Sequence, residues 1–214
     1  MKLILIRHAE PDYAADGLTP TGHAQAQALA RALADVHIDR ICVSPMGRAQ
    51  ATARYTAEAK GMATTTLEWL HELDGNYRDS LWAWNLSGSR SFAGGEPVTL
   101  ANWARLLEYG PHMVPVARRL WDSFDAFLAE HGYVREGQRY RVYDGGSDLV
   151  VAFFCHGGVT ATLLAHLLNV SVPAAYAQFA IHPSSRTTLR FEEEGGYGVF
   201  RLECLNDMSH VVKP

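Results

Sequence analysis

Three strand-like segments in this chain end in residues that can do polar chemistry. Leu3-Ile4-Leu5-Ile6 leads into Arg7-His8-Ala9-Glu10, and Leu149 to Phe154 leads into Cys155-His156-Gly157-Gly158. Between them, Ile38 to Val43 leads into Ser44-Pro45-Met46-Gly47-Arg48. Two histidines and two arginines placed this way suit transfer of a phosphoryl group. Guanidinium groups balance phosphoryl charge with bidentate hydrogen bonds, and a helix N-terminus with glycine-flanked amides adds donors. A neutral imidazole can attack phosphorus, because its unperturbed pKa of about 6.5 leaves it largely deprotonated near neutral pH. A second imidazole can donate a proton and stabilise the equatorial oxygens. A carboxylic acid must then protonate the leaving alkoxide and afterwards activate water. Glu10, Glu68, Glu72 and Asp74 all compete for that role.

The elements that would position these groups follow from the pattern. A short continuous apolar run reads as a strand buried on both faces, as in a parallel sheet. Open α/β sheets bind ligands at the carboxyl ends of such strands. After Leu3–Ile6 comes a loop over Pro11–Gly17, then Thr19-Pro20-Thr21 as N-cap and first-turn proline of a helix carrying Ala28, Leu29, Ala32, Leu33 and Val36. Ile38–Val43 is a second strand, the segment from Ser44 an alanine-rich helix ended by Gly61, and Ala63–Leu67 a third strand. This β-α-β-α-β rhythm predicts a parallel sheet wrapped by helices. Leu149–Phe154 restores the sheet, a helix runs on through Leu168 with Asn169 as C-cap, and Arg186–Phe191 and Gly198–Leu205 are closing strands joined at Glu192–Gly196.

Residues 75–148 break the rhythm. They are rich in glycine and aromatics (Trp82, Trp84, Phe92, Trp103) and hold one clear helix, about Val114–His131, stopped by Gly132. The segment reads as a helical and loop insertion that caps the carboxyl edge of the sheet, within one domain spanning 1–214. Its Trp82, Trp84 and Trp103 are expected in the core of the insertion or at the substrate. Arg78, Arg90, Arg105 and Arg118 could read substrate charge or lie on solvated faces.

Bulk properties narrow the function. The chain has 214 residues, 48% hydrophobic and 20% charged, with a formal net charge of −4. That is ordinary for a globular protein and provides no global field for nucleic acid or an anionic membrane. Any anion site must come from local arginines. Cys42, Cys155 and Cys204 are odd in number and form no CxxC pair, which suggests a reducing compartment. The N-terminus lacks a signal-peptide cleavage pattern and its apolar run is too short to span a bilayer, so the expectation is a cytoplasmic protein. Other chemistries lack their motifs. No Gly-x-Ser-x-Gly elbow accompanies His156-Gly157-Gly158, no Gly-x-Gly-x-x-Gly follows the first strand, and His71-Glu72 is not part of His-Glu-x-x-His. Cys155 adjoins His156 but, on an extended strand, points to the opposite face. His71, His166, His182 and His210 read as structural or surface residues.

Arg7-His8-Ala9-Glu10 resembles the Arg-His-Gly signature of the histidine phosphatase superfamily, which includes the phosphoglycerate mutases. Ser44-Pro45-x-x-Arg48-Ala49-x-x-Thr52-Ala53, Glu72 after Trp69, and His156-Gly157 after an apolar strand agree with it in order. Asn206-Asp207-Met208-Ser209-His210 also resembles the C-terminal segment of many members. The resemblance implies a phosphoglycerate mutase-like, three-layer α/β/α sandwich around a mostly parallel sheet. It makes His8 the phosphohistidine nucleophile and Glu72 the proton donor. Arg7, Arg48, His156 and Gly157 would line the phosphate pocket, with no metal or cofactor and a small phosphorylated substrate. Position 9 is alanine where glycine is usual, and Pro11-Asp12-Tyr13 differ from the glycolytic mutases. That favours a metal-independent phosphatase over a mutase. A non-catalytic phospho-ligand-binding module would have lost the nucleophile or the acid, and both are present. Oligomeric state and the identity of the substrate are not written in the sequence.

Overall fold

The computed structural model describes residues 1–74, 76–77 and 81–211; Gly75, at the predicted start of the insertion, and Arg78 lie outside them. In chain order the main elements are β1 (Lys2–Arg7), α1 (Pro20–Ala32), β2 (Arg40–Val43), α2 (Gly47–Lys60), β3 (Thr64–Thr66) and α3 (Gly110–Ala129). They continue as β4 (Tyr133–Glu136), β5 (Arg139–Val142), β6 (Val150–Cys155), α4 (Gly157–Leu167), α5 (Val172–Gln178), β7 (Arg186–Glu194) and β8 (Tyr197–Asp207). One eight-stranded sheet runs in the order β3-β2-β6-β1-β7-β8-β5-β4.

The sheet is mixed. β3, β2, β6 and β1 are parallel, whereas β7, β8, β5 and β4 join antiparallel. The expectation of a mostly parallel sheet holds for the half that carries the β-α rhythm of the N-terminal third and β6. The other half is hairpins, since the two-residue connection Gly195-Gly196, with φ of 61° and 79°, returns β8 directly beside β7. The segment 75–148 also departs from a cap made only of helix and loop. Its β4–β5 hairpin pairs through β5 with β8 and extends the sheet. Charged residues on the exposed positions of that hairpin conceal the strands, while Tyr133 and Tyr140 turn inward and are buried.

The layers follow from strand alternation. On β1, Ile4 and Ile6 face a cluster with Leu29 of α1 and its C-cap Leu33, Ala49 and Ala53 of α2, and Phe154. Leu3 and Leu5 face the opposite cluster, with Phe153, Phe124 and Leu120 of α3, and Leu163 of α4. A strand buried on both faces therefore reads as a continuous apolar run, as its sequence does. α1 begins where predicted, its Thr19 hydroxyl accepting from Gly22 N at 3.0 Å, and α2 ends on Gly61 at φ 61°. α3 starts one turn before Val114, led by Gly110-Pro111, and stops before Gly132 at φ 87°. Among the described residues no helix is long and apolar enough to cross a membrane.

Phe124 joins the layer on that face, its ring 6.0 Å from Trp69 and 5.9 Å from Phe153. Phe124→Ala should cost about 3–5 kcal/mol. Urea unfolding would show this as a lower midpoint at an unchanged slope.

Candidate active site

Register decides what meets at the carboxyl edge. β1 and β6 pair in parallel with Arg7 opposite Cys155, so the next residue of each strand is a histidine beside a histidine. His8 N donates to Cys155 O at 2.9 Å, and the two rings lie edge to face with centroids 5.1 Å apart. The chain leaves β1 toward β2 over one face and leaves β6 toward β7 over the other. This opens a crevice between the two strand ends, the place where α/β sheets hold ligands. A cleft of about 810 Å³ opens there, lined among others by Arg7, His8, Arg48, Glu72, Gly157 and Gly158.

His8 is 1% exposed. Its Nδ1 lies 2.8 Å from the carbonyl oxygen of Ala9. A carbonyl can only accept, so Nδ1 carries the proton and Nε2 keeps the lone pair. Burial pushes the pKa of His8 down to about 4, with the neighbouring Arg7 and Arg48 adding to the fall. The ring is thus a neutral base at physiological pH. Its backbone is held from both sides: Ala9 N donates to Thr52 Oγ1 at 3.0 Å, and Ser184 N donates to the carbonyls of Arg7 and His8.

His156 is fully buried behind His8 and does not line the cleft itself. Its Nε2 is 2.8 Å from Ser44 Oγ, which already accepts from Met46 N at 3.3 Å. When the serine hydroxyl donates to His156 Nε2, the ring proton sits on Nδ1, which has no protein partner among the described residues. Burial pushes His156 down to about 2, reinforced by His8, Arg48 and Arg7. Arg7 Nε and Arg48 Nε are likewise buried without an acceptor. Unpaired buried polar atoms are costly, and these three belong to residues clustered around His8.

Both arginines are oriented by other bonds. Arg7 Nη1 donates to Ile181 O at 2.6 Å, and a Cβ on Gly157 would stand only 3.3 Å from Arg7 Cζ. Gly157 thus gives the guanidinium room as well as standing at the start of α4. Arg48 Nη1 donates to Asp16 Oδ1 at 2.7 Å, while Asp16 Oδ2 accepts from Gly47 N at 2.6 Å. Asp16 was not singled out from the sequence; it sits in a loop, 31 residues before Gly47, where no spacing rule points to it. Ser44 appeared only as part of the arginine-helix motif, and its bond to His156 is visible only in three dimensions.

Glu72 separates itself from the other candidate acids. It lines the cleft, and its carboxylate accepts from Leu73 N at 2.9 Å, Val159 N at 3.2 Å and Gly158 N at 3.3 Å. Burial raises its pKa even though these amides and Arg7 oppose the rise. Glu10 is instead turned to Thr19 Oγ1 at 2.7 Å, Glu68 is exposed outside the cleft, and Asp74 lines the cleft from an exposed position. The amides at the start of α4, expected to help hold phosphate, are therefore given at Gly158 and Val159 to Glu72. Gly158 is required for this approach, since a Cβ there would lie 2.7 Å from Glu72 Oε1.

The remaining expectations resolve as follows. Trp103 is buried in the core, whereas Trp82 and Trp84 stack at 4.9 Å on the cleft wall. Arg90, Arg105 and Arg118 do not line the cleft. His166 bonds Asp125 and stacks on Trp121, and His210 Nε2 lies 2.5 Å from Ser184 Oγ. The C-terminal segment thereby steadies the residue whose N–H holds the His8 carbonyl. Cys155 is buried on the core side of its strand, and burial pushes its thiol up to about 12. Among the described residues no group of three His, Cys, Asp or Glu side chains is arranged to hold a metal.

Fold and site together define an α/β protein with a buried histidine pair at the carboxyl edge of its sheet. The chain belongs to the histidine phosphatase superfamily, branch 1, whose family model matches residues 3–207. Among solved structures it is similar to a mycobacterial glucosyl-3-phosphoglycerate phosphatase complexed with VO3, at 25% identity and a TM-score of 0.65 over 96% of this chain and 98% of the other. It is also similar to a protein described as mycobacterial hydrolase 1, at 25% identity and TM-score 0.66 over the same shares. A phosphoserine phosphatase from Entamoeba histolytica shares the fold at 21% identity and TM-score 0.63, over 99% of both chains. No functionally curated protein matches the sequence. The family and these neighbours support a phosphatase.

The depressed histidines make stability depend on pH. Both rings titrate in the folded protein below the unfolded value of about 6.5. The unfolded chain therefore binds more protons in acid, and stability present above about pH 6.5 is lost as pH falls toward 4. Melting temperature should drop over this interval, and His156→Gln should show a shallower drop than the parent. An equal slope in both proteins would show that His156 is not the group responsible.

Proposed function

We propose that this chain is a metal-independent phosphomonoesterase acting through a phosphohistidine on His8. One observation supports it above the others: His8 lines the cleft between Arg7 and Arg48 with Nδ1 tied to Ala9 O, so the lone pair is on Nε2. In the first step His8 Nε2 forms a bond to phosphorus while the ester P–O bond breaks. Glu72, whose pKa burial raises, gives its proton to the leaving oxygen. Arg7 and Arg48 balance the charge on the phosphoryl oxygens, and His156, buried against the His8 ring, supports them from beneath the cleft surface. In the second step the Glu72 carboxylate takes a proton from water as water attacks phosphorus. The P–N bond breaks, inorganic phosphate leaves, and the acid is restored.

The substrate is a small phosphorylated molecule, as it is for the named neighbours. The chain works as one catalytic domain in which the segment 75–148 supplies a wall of the cleft through Trp82, Trp84 and Asn85. The three unpaired cysteines fit a cytoplasmic setting.

His8→Ala should abolish turnover of an aryl phosphate measured with chelator present. Glu72→Ala should lower kcat on an alkyl phosphate by about 10²–10⁴-fold, the range of general acid catalysis, and on a 4-nitrophenyl ester far less, because that leaving group needs no proton. Equal losses on both esters would remove Glu72 from the acid role. Turnover that survives His8→Ala would overturn the mechanism.

A further inference from the structure

Beyond the phosphoryl centre the cleft has a chemical character of its own. Trp82 and Trp84 stand there as a parallel stack, with centroids 4.9 Å apart and planes 13° apart. Phe179, Ile181, Met46 and the exposed ring of Tyr13 line the same space. Trp82 is 38% exposed and Tyr13 69%, so both present aromatic surface to whatever enters. Among the described residues the only cations lining the cleft are Arg7 and Arg48. Each is already oriented toward the phosphoryl position, by Ile181 O and by Asp16 respectively. The further charges on the wall are acidic, Glu72 and Asp74. A leaving group with its own carboxylate would meet no described cation and would face Asp74. A flat apolar leaving group would meet the tryptophan pair, where stacking and burial favour it.

We infer that the substrate is a phosphomonoester whose alcohol carries an aromatic or similarly flat, uncharged body, and that Trp82 and Trp84 form its platform. This deepens the phosphatase reading and rests on it. It also separates this chain from the phosphoserine phosphatase it resembles in fold, whose leaving group is a charged amino acid.

The test compares primary alkyl esters, so that leaving-group basicity does not dominate the comparison: 2-phenylethyl phosphate against 3-phosphoglycerate and phosphoserine. Affinity is measured by calorimetry on the His8→Ala protein, which cannot turn over through His8, and kcat/KM on the parent. The expected result is tighter binding of 2-phenylethyl phosphate than of either carboxylate ester by about tenfold or more, the size of one aromatic contact. Trp82→Ala, introduced into the same background, should erase most of that preference, and Trp82→Phe should restore part of it. Equal or tighter binding of the carboxylate esters would overturn the inference, as would an unchanged preference in Trp82→Ala. Because binding is read without turnover, a preserved aromatic preference in a parent that hydrolyses none of the esters would count against the phosphatase reading and in favour of the platform.

Discussion

The parallel pairing of β1 with β6 is the constraint on which the rest depends. Side chains alternate along a strand, so a slip of one residue would turn every apolar side chain of β1 from one helical layer to the other. Leu3 and Leu5 against one cluster, and Ile4 and Ile6 against the other, resist that slip from both faces. The same register that packs the core also sets Arg7 opposite Cys155 and brings His8 and His156 into edge-to-face contact. Chemistry at the edge is thus a by-product of core packing, and it is placed on rigid backbone.

A second theme is the way fixed charge is arranged around the histidines. The helices that start at the site, α2 and α4, each receive a carboxylate on their first amides, Asp16 on Gly47 N and Glu72 on Gly158 and Val159. A helix N-terminus favours negative charge, and here it is satisfied from within the protein. In the proposed mechanism, phosphate recognition falls to the guanidinium groups and His156. Asp16 uses its second oxygen to orient Arg48, so one carboxylate both caps a helix and aims a guanidinium at the cleft. Glu72 is held by three amides yet raised in pKa by burial, a balance that suits a group asked to donate a proton and take one back.

Much of this was legible in the sequence because it is local. The strand at Leu3–Ile6, the N-cap at Thr19, the arginine at the start of α2 and the two histidines at strand ends are each written in a few consecutive residues. Glu72 needed the family resemblance to stand out from Glu68 and Asp74, since their spacing alone does not say which side chain reaches Gly158. Asp16 and the Ser44–His156 bond stayed hidden because they join segments 31 and 112 residues apart. The β4–β5 hairpin was hidden for a different reason. It lies at the sheet's edge, where Arg135, Glu136, Arg139 and Arg141 interrupt the apolar alternation that marks a buried strand.

The central claim is that His8 Nε2 becomes phosphorylated during turnover. Rapid mixing of the enzyme with a substrate labelled in its phosphoryl group, followed by an alkaline quench and peptide mapping, tests it directly. Phosphate bound to a histidine nitrogen survives base and is released by acid. The account predicts label approaching one equivalent on the peptide containing His8, lost on acid treatment and absent from His8→Ala. Multiple turnovers with no labelled protein at any quench time, or label carried by another residue, would contradict it.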